Sequence, residues 1–212
     1  FPGTFSDFLN NPINHHNKPE GFTLPWRLYV TEQEVPVEFA VVNPVKGHAC
    51  IDLEYDRIPQ NIRELFFPYF NKLEWKPEII EDVERTIKEL GLSDFNSVHI
   101  REDYDWTYSG RQTALSEYFK EIDKHLEDKM YFVVHNEEIE KAVKAQYGDK
   151  VLIYPKKKYT NNNSSDLILW VKDLLIMSRS KLIVGNIQSS FDETAWWIGG
   201  CKAKYYGIRG KK

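Results

Sequence analysis

The sequence predicts an α/β protein in which a parallel sheet is flanked by helices. Three observations predict this class: from about residue 93 onward, short apolar segments rich in β-branched residues alternate with longer amphipathic ones, the strand-like segments hold four to six residues, and the helix-like segments hold nine or more. Such alternation implies parallel pairing through right-handed crossovers. The predicted strands are residues 98–101, 130–135, 151–154 and 181–185, and the predicted helices are residues 114–128, 137–147, 166–177 and 190–198.

Length and composition indicate one large globular domain, with or without a small appendage. The chain has 212 residues, of which 42% are hydrophobic and 14% aromatic, enough for a substantial core. Its net charge of −4 argues against nucleic acid as the main partner, because phosphate backbones are bound by basic surfaces. Two cysteines, Cys50 and Cys201, are too few for a disulfide framework or a thiolate metal site.

The first 92 residues show a weaker pattern. Residues 1–27 are rich in turn-forming residues and are predicted as loop and extended segments, and residues 37–42 and 48–55 are predicted to form a hairpin. Two helices are predicted next, at 60–71 with a kink or end at Pro68 and at 78–90 before Gly91. No apolar run is long enough for a membrane span and the start is not a signal peptide, so we expect a soluble chain, either cytoplasmic or a lumenal fragment of a larger protein.

Polar residues follow the first predicted strand in the segment NSVHIREDYD. His99 and Arg101 alternate with Val98 and Ile100 and should therefore face the same side of the sheet. Ligands of open α/β sheets bind at the carboxyl ends of strands, where an arginine can contact two phosphate oxygens at once. The alternative is a surface ion pair between Arg101 and one of the acidic residues Asp103 and Asp105.

The turn after the fourth predicted strand is a second candidate for phosphate binding. Gly185 would allow close approach of a ligand, Asn186 is adjacent, and Ser189 and Ser190 stand where the next helix begins. A purely structural helix cap is an equally good interpretation of the two serines.

Asp173 is unusual because its helix, DLILWVKDLLIM, is apolar on almost every side. A carboxylate near the core needs a partner. The ring N–H groups of a ligand could supply one, and so could a residue of the protein such as Lys172 or an arginine. The motifs of dinucleotide enzymes, P-loop NTPases, zincins and α/β-hydrolases do not occur in the sequence.

Two segments resemble the donor-binding half of the fucosyltransferase superfamily, which includes the α1,2-, α1,6- and protein O-fucosyltransferases. They are SVHIREDYD, which resembles the family's H-x-R-x-x-D motif after a strand, and DLILWVKDLLIMSRSKLIVGNIQSSFDETAWWIGG, with its helix, apolar strand and Ser-rich turn. The resemblance covers roughly residues 95–200. It implies a GT-B-like fold, with a reduced N-terminal, acceptor-side region at 1–92 and a Rossmann-like nucleotide-sugar donor domain at 93–212.

By this resemblance the protein is an inverting glycosyltransferase that needs no metal or other cofactor. It would move a sugar, with fucose from GDP-fucose as the first choice, to a glycan or protein hydroxyl. Arg101 matches the arginine that binds the donor diphosphate, His99 the histidine beside it, and Asp173 an aspartate that recognises guanine. Ser189 and Ser190 match the serine-rich turn near the phosphates, to which we add Gly185 and Asn186 from the reasoning above.

The catalytic base and two other functional readings stay open. The family's aspartate falls at Tyr104, so Asp103 and Asp105 are equal candidates for deprotonating the acceptor, and Trp106 is a candidate for acceptor contact. Asp103-Tyr104-Asp105 also has the D-x-D form by which GT-A glycosyltransferases hold Mn²⁺ or Mg²⁺. A glycan- or nucleotide-binding module without turnover is the remaining alternative.

Overall fold

The computed structural model describes residues 60–101, 114–126, 129–154, 164–186 and 189–208, together with two short strands at 27–28 and 39–40. The helices of the described residues are α1 (Gln60–Phe70), α2 (Pro77–Glu89), α3 (Leu115–His125), α4 (Glu137–Tyr147), α5 (Ser164–Met177) and α6 (Ser190–Ile198). The strands are β1 (Arg27–Leu28), β2 (Phe39–Ala40), β3 (Asn96–Ile100), β4 (Met130–Val134), β5 (Val151–Leu152), β6 (Leu182–Asn186) and β7 (Lys204–Ile208).

A parallel sheet of five strands organises the described residues, in the order β5-β4-β3-β6-β7. β3 is central, with Val98 opposite Phe132 of β4 on one side and Val184 of β6 on the other. The α/β class and the Rossmann-like parallel sheet are therefore confirmed. The strand order reverses between β3 and β6, and in open α/β sheets this switch point is where ligands bind.

Helices cover both faces of the sheet, each with its own apolar cluster. α2, α5 and α6 pack on the face formed by Tyr131 and Val133 of β4. On the opposite face, α3 and α4 pack over Val98, Ile100 and Phe132. The alternation predicted for β3 is confirmed, because Val98 and Ile100 point away from the α5–α6 layer.

The helical periodicity of the sequence predicted α4 and α6 at their observed bounds. The predicted ends of α3 and α5 differ from the observed ends by at most three residues. Arg101 was predicted as the last residue of its strand but follows β3, which ends at Ile100. α1 continues to Phe70, two residues beyond Pro68, where a kink or end was predicted. Bounds of this kind depend on packing around the element ends more than on the pattern itself.

The sequence analysis missed one strand of the sheet and one strand pairing. β7 was not predicted, because only Tyr205 and Ile208 of its five residues are buried and its pattern is therefore weak. β2 lies within 37–42 and pairs antiparallel with β1, with Arg27 opposite Ala40, a pairing that the sequence analysis did not predict. The predicted hairpin of 37–42 with 48–55 stays a prediction. Residues 48–55 lie outside the described residues.

Two helices that precede residue 92 belong to the packing of the sheet. α2 contacts α5, and α1 contacts α6. The predicted division of the chain at residues 92 and 93 stays a prediction, since these contacts concern only the last third of the N-terminal part. No helix among the described residues combines the length and apolar character that crossing a membrane requires.

Glu193 lies at the contact between α6 and α1. Its Oε1 accepts a hydrogen bond of 3.2 Å from Nε1 of Trp197, whose ring stacks on Phe70 of α1 with centroids 5.5 Å apart. Burial raises the pKa of Glu193 from 4.5 to about 7, with the Trp197 hydrogen bond lowering it in part. Folding therefore opposes ionisation of this carboxyl group.

We predict that Glu193→Gln makes the protein more stable at pH 8 than the wild type. Below pH 4.5 the carboxyl group is protonated in both folded and unfolded states and imposes no penalty. As the pH rises from 4.5 through 7, only the unfolded state ionises readily, so wild-type stability falls by at most about 3 kcal/mol. Urea unfolding at several pH values would measure this. A gain from Glu193→Gln that is as large at pH 4 as at pH 8 would contradict the assignment.

Candidate functional site

The carboxyl ends of β3 and β6 lie side by side at the centre of the sheet. Their parallel register brings two predicted groups together, the residues around His99 and the turn from Gly185 to Ser190. Oγ of Ser189 lies 3.4 Å from Nδ1 of His99. The structure thus unites the two segments that the sequence analysis singled out separately.

The ring of His99 contacts the carboxylate of Asp192, a residue that the sequence analysis did not predict. Nδ1 of His99 meets Oδ1 of Asp192, and both side chains are buried, with exposed fractions of 4% and 0%. The face of the His99 ring is covered by Phe191, at 4.8 Å between centroids. A buried pair of this kind needs further hydrogen bonds to compensate for its desolvation.

The other oxygen of Asp192 receives those hydrogen bonds. Oδ2 accepts from the backbone N–H of Asn186 at 3.0 Å and lies 3.2 Å from the hydroxyl of Tyr205 on β7. The same hydroxyl donates to the carbonyl oxygen of Asn186 at 2.8 Å. We call His99, Asn186, Ser189, Asp192 and Tyr205 the switch-point cluster.

Gly185 is required by this cluster. A Cβ atom at residue 185 would lie 2.0 Å from Oδ2 of Asp192 and 3.2 Å from the Tyr205 hydroxyl. We predicted a close approach at this glycine and attributed it to a phosphate, but the group that closes on it is the buried carboxylate. Contact of Gly185 or Asn186 with a donor stays a prediction.

Ser189 is the N-cap of α6, as one of the two interpretations of the serines had it. Its Oγ accepts a hydrogen bond of 3.3 Å from the backbone N–H of Asp192. Ser190 is the first residue of α6. A helix N-terminus presents free N–H groups and the positive end of the helix dipole, so this turn can bind an anion.

Arg101 lies directly after β3 and is half-buried. Its backbone N–H is 3.4 Å from the hydroxyl of Tyr118 on α3. Asp103, Asp105 and Trp106, the candidates for catalysis and acceptor contact, lie outside the described residues. Their roles, and the alternative ion pair with Arg101, stay predictions.

Asp173 is not brought to the switch-point cluster. Its side chain is fully buried, and Oδ1 accepts a hydrogen bond of 2.5 Å from the Tyr131 hydroxyl, near the amino end of β4. Burial, and next the Asp173 carboxylate, raise the pKa of Tyr131 well above its usual range. Lys172, offered as a partner within the protein, instead pairs with Asp82 of α2. Guanine recognition by Asp173 stays a prediction, and the core hydrogen bond explains its burial.

Aromatic residues lie together at the same sheet edge. The ring of His135, which follows β4, lies 4.7 Å from Trp170 of α5 and 5.9 Å from His99, measured between centroids. Trp170 is 38% exposed. One feature of the sequence could have identified Asp192, because it is an acidic residue within the apolar, aromatic segment SFDETAWWI. The same argument singled out Asp173.

A metal site is not formed by the residues that the structure describes, among which no group of three His, Cys, Asp or Glu side chains could hold an ion. The D-x-D pair Asp103 and Asp105 falls outside that part of the chain. The predicted independence from metal and other cofactors therefore stays a prediction.

We predict that Gly185→Ala costs about 3 kcal/mol of unfolding free energy, because the new methyl group overlaps the Asp192 carboxylate. Asp192→Ala is also destabilising, since it leaves His99 and the Asn186 N–H without their partner. The double variant should be more stable than the sum of the two costs predicts, by at least about 1 kcal/mol, because Asp192→Ala removes the carboxylate that the new methyl group at residue 185 would overlap. Urea unfolding of all four proteins measures the coupling. If the two losses of unfolding free energy simply add, the Asp192 carboxylate is not the reason that residue 185 must be glycine.

Comparison with known proteins gives structural matches only. No protein-family model and no curated protein matches the sequence. The apo-form crystal structure of POFUT1 aligns with a TM-score of 0.50 and 14% sequence identity, over 71% of this chain and 50% of that one. POFUT1 in complex with GDP-fucose aligns with a TM-score of 0.50 and 15% identity, over 73% of this chain and 53% of that one.

A bacterial enzyme is among the other matches. The fucosyltransferase NodZ from Bradyrhizobium aligns with a TM-score of 0.47 and 16% identity, over 66% of this chain and 46% of that one. The chain spans about half the length of the POFUT1 structures that it matches. At these identities the matches show the fold alone, and that fold is fucosyltransferase-like.

Proposed function

We propose that this chain is the donor-binding part of an inverting glycosyltransferase that uses a nucleotide-activated sugar, with GDP-fucose as the preferred donor. The observation that carries the proposal is the switch-point cluster, a buried polar group at the carboxyl ends of β3 and β6 in a fucosyltransferase-like fold. The acceptor would be a hydroxyl group of a glycan or a protein.

The location favours an anionic ligand. Arg101 follows β3, and α6 begins beside it at Ser190 with Ser189 as its cap, so a guanidinium and a helix N-terminus border the same edge. A diphosphate suits both, since arginine binds two oxygens at once and the free N–H groups of a helix N-terminus donate hydrogen bonds to anionic oxygens. Binding of GDP-fucose by the similar POFUT1 supports the choice of donor.

The proposed chemistry is attack of the acceptor hydroxyl on the anomeric carbon of the sugar. The bond from that carbon to the nucleoside diphosphate breaks, and Arg101 balances the negative charge that develops on the leaving group. Asp103 or Asp105 takes the proton from the acceptor hydroxyl. His99, Gly185, Asn186, Ser189 and Ser190 surround the diphosphate, and Trp106 contacts the acceptor.

We predict that the chain binds GDP and GDP-fucose in the presence of EDTA and binds UDP at least about tenfold more weakly. Titration calorimetry with each nucleotide, in EDTA and in Mn²⁺, measures this. Binding that requires Mn²⁺ would favour the D-x-D reading of Asp103-Tyr104-Asp105. Binding of GDP-fucose without hydrolysis or transfer would favour a module without turnover. No binding of any nucleotide would contradict both glycosyltransferase hypotheses and would leave only a glycan-binding module.

We predict that Arg101→Ala lowers GDP affinity by at least about 100-fold, because a bidentate charged contact to phosphate contributes about 3 kcal/mol. The free energy of unfolding should change by less than about 1 kcal/mol.

Arg179→Ala is the matched control for this experiment. Arg179 follows α5 and precedes β6, so it lies at the opposite edge of the sheet, where it pairs with Glu84 at 2.7 Å. This variant should bind GDP as the wild type does. Equal losses of affinity in the two variants, or unfolding of Arg101→Ala, would exclude the assigned role.

A further inference from the structure

The carboxylate of Asp192 lies between an imidazole nitrogen, which can donate or accept a hydrogen bond, and a backbone N–H, which can only donate. One oxygen faces Nδ1 of His99, and the other faces the backbone N–H of Asn186 at 3.0 Å. A backbone N–H can only donate, so the oxygen that faces it must accept. The side chain of Asp192 is fully buried, and the Gly185 backbone packs against the same oxygen, so the carboxylate has no room to rotate.

We propose that Asp192 is a positioning residue that keeps a hydrogen on Nδ1 of His99 and thereby makes Nε2 the nitrogen that meets a phosphate of the donor. The second half of this inference rests on the function proposed above. The ionised carboxylate accepts a hydrogen bond from Nδ1, and this bond selects the tautomer of the ring.

The same carboxylate supports a charged ring. When a phosphate approaches Nε2 and the ring takes a second proton, Asp192 balances the imidazolium charge without moving. A charged N–H donor binds phosphate more strongly than a neutral one. Two titratable groups contact the His99 ring among the described residues, Asp192 from α6 and His135 after β4, and Arg101 lies two residues along the chain.

Replacement of Asp192 by Asn should change the tautomer of the His99 ring. The amide oxygen of Asn must accept from the Asn186 N–H, so the amide NH₂ faces His99. Nδ1 then has to accept, and the ring hydrogen moves to Nε2. The imidazolium form is excluded in this variant, because two donors would face each other.

The experiment is a long-range ¹H–¹⁵N correlation spectrum of the histidine rings, with His99→Gln used to assign the signals of residue 99. In the free wild type we expect a hydrogen on Nδ1, and in the GDP complex a hydrogen on both nitrogens. In Asp192→Asn we expect the hydrogen on Nε2 with and without GDP, and a GDP dissociation constant at least fivefold higher. A hydrogen on Nε2 alone in the free wild type overturns the proposal without any variant.

Ser180→Ala is the matched control for lost buried hydrogen bonding. The hydroxyls of Ser97 and Ser180 lie 2.9 Å apart and buried, and Ser97 is on the same face of β3 as His99, two residues earlier. This variant should lose stability yet keep the wild-type ring signals and a GDP dissociation constant within twofold of the wild type. The same ring signals in Asp192→Asn and the wild type overturn the proposal.

The two hypotheses fail separately. If the wild type binds no GDP, the proposed function fails, while the free-protein spectra still decide whether Asp192 sets the ring hydrogen. Suppose instead that the wild type binds GDP, and that Asp192→Asn moves the ring hydrogen to Nε2 as expected but binds GDP equally well. The phosphate contact of His99 is then overturned, and the donor assignment stands.

Discussion

The buried carboxylate of Asp192 is the contact on which the arrangement of the candidate site depends. It joins a side chain of β3, the backbone of β6 and the hydroxyl of a β7 residue, and the first turn of α6 carries it into that position. An unpartnered carboxylate at this depth would cost several kcal/mol, so its partners and its geometry must be satisfied together. The absence of a side chain at Gly185 follows from the same requirement.

The order of the strands explains why these groups can meet. β3 and β6 are adjacent although more than 80 residues separate them, and their carboxyl ends point to the same edge. One face of the sheet is covered by α3 and α4 over mainly apolar strand residues, with Asn96 of β3 donating a hydrogen bond to the carbonyl oxygen of His125. The other face mixes apolar packing by α2, α5 and α6 with the His99–Asp192 and Tyr131–Asp173 contacts. Polar groups buried in this layer are costly unless paired, and each pair joins a strand side chain to a helix carboxylate, one at the ligand edge and one within the core.

The comparison of Asp173 with Asp192 shows where reasoning from sequence reached its limit. Both are acidic residues in apolar helices, and the pattern identifies each as a carboxylate that needs a partner. The pattern does not identify the partner, because Tyr131 and His99 are contributed by strands 42 and 93 residues away in the chain. The functional assignment for Asp173 came from a resemblance, whereas its contact with Tyr131 came only from the folded chain.

Among the residues that the structure describes, the sequence by itself determined the α/β class, four of the five strands of the parallel sheet, the six α-helices, and the two segments that meet at the sheet edge. Periodicity and turn residues are local properties, and they decide local structure. Only the tertiary structure decided the strand order, the weakly patterned β7, the partner of β2 and the roles of Asp192 and Tyr205 within the switch-point cluster. These depend on which distant residues come within hydrogen-bonding distance, and the local pattern carries no information about that distance.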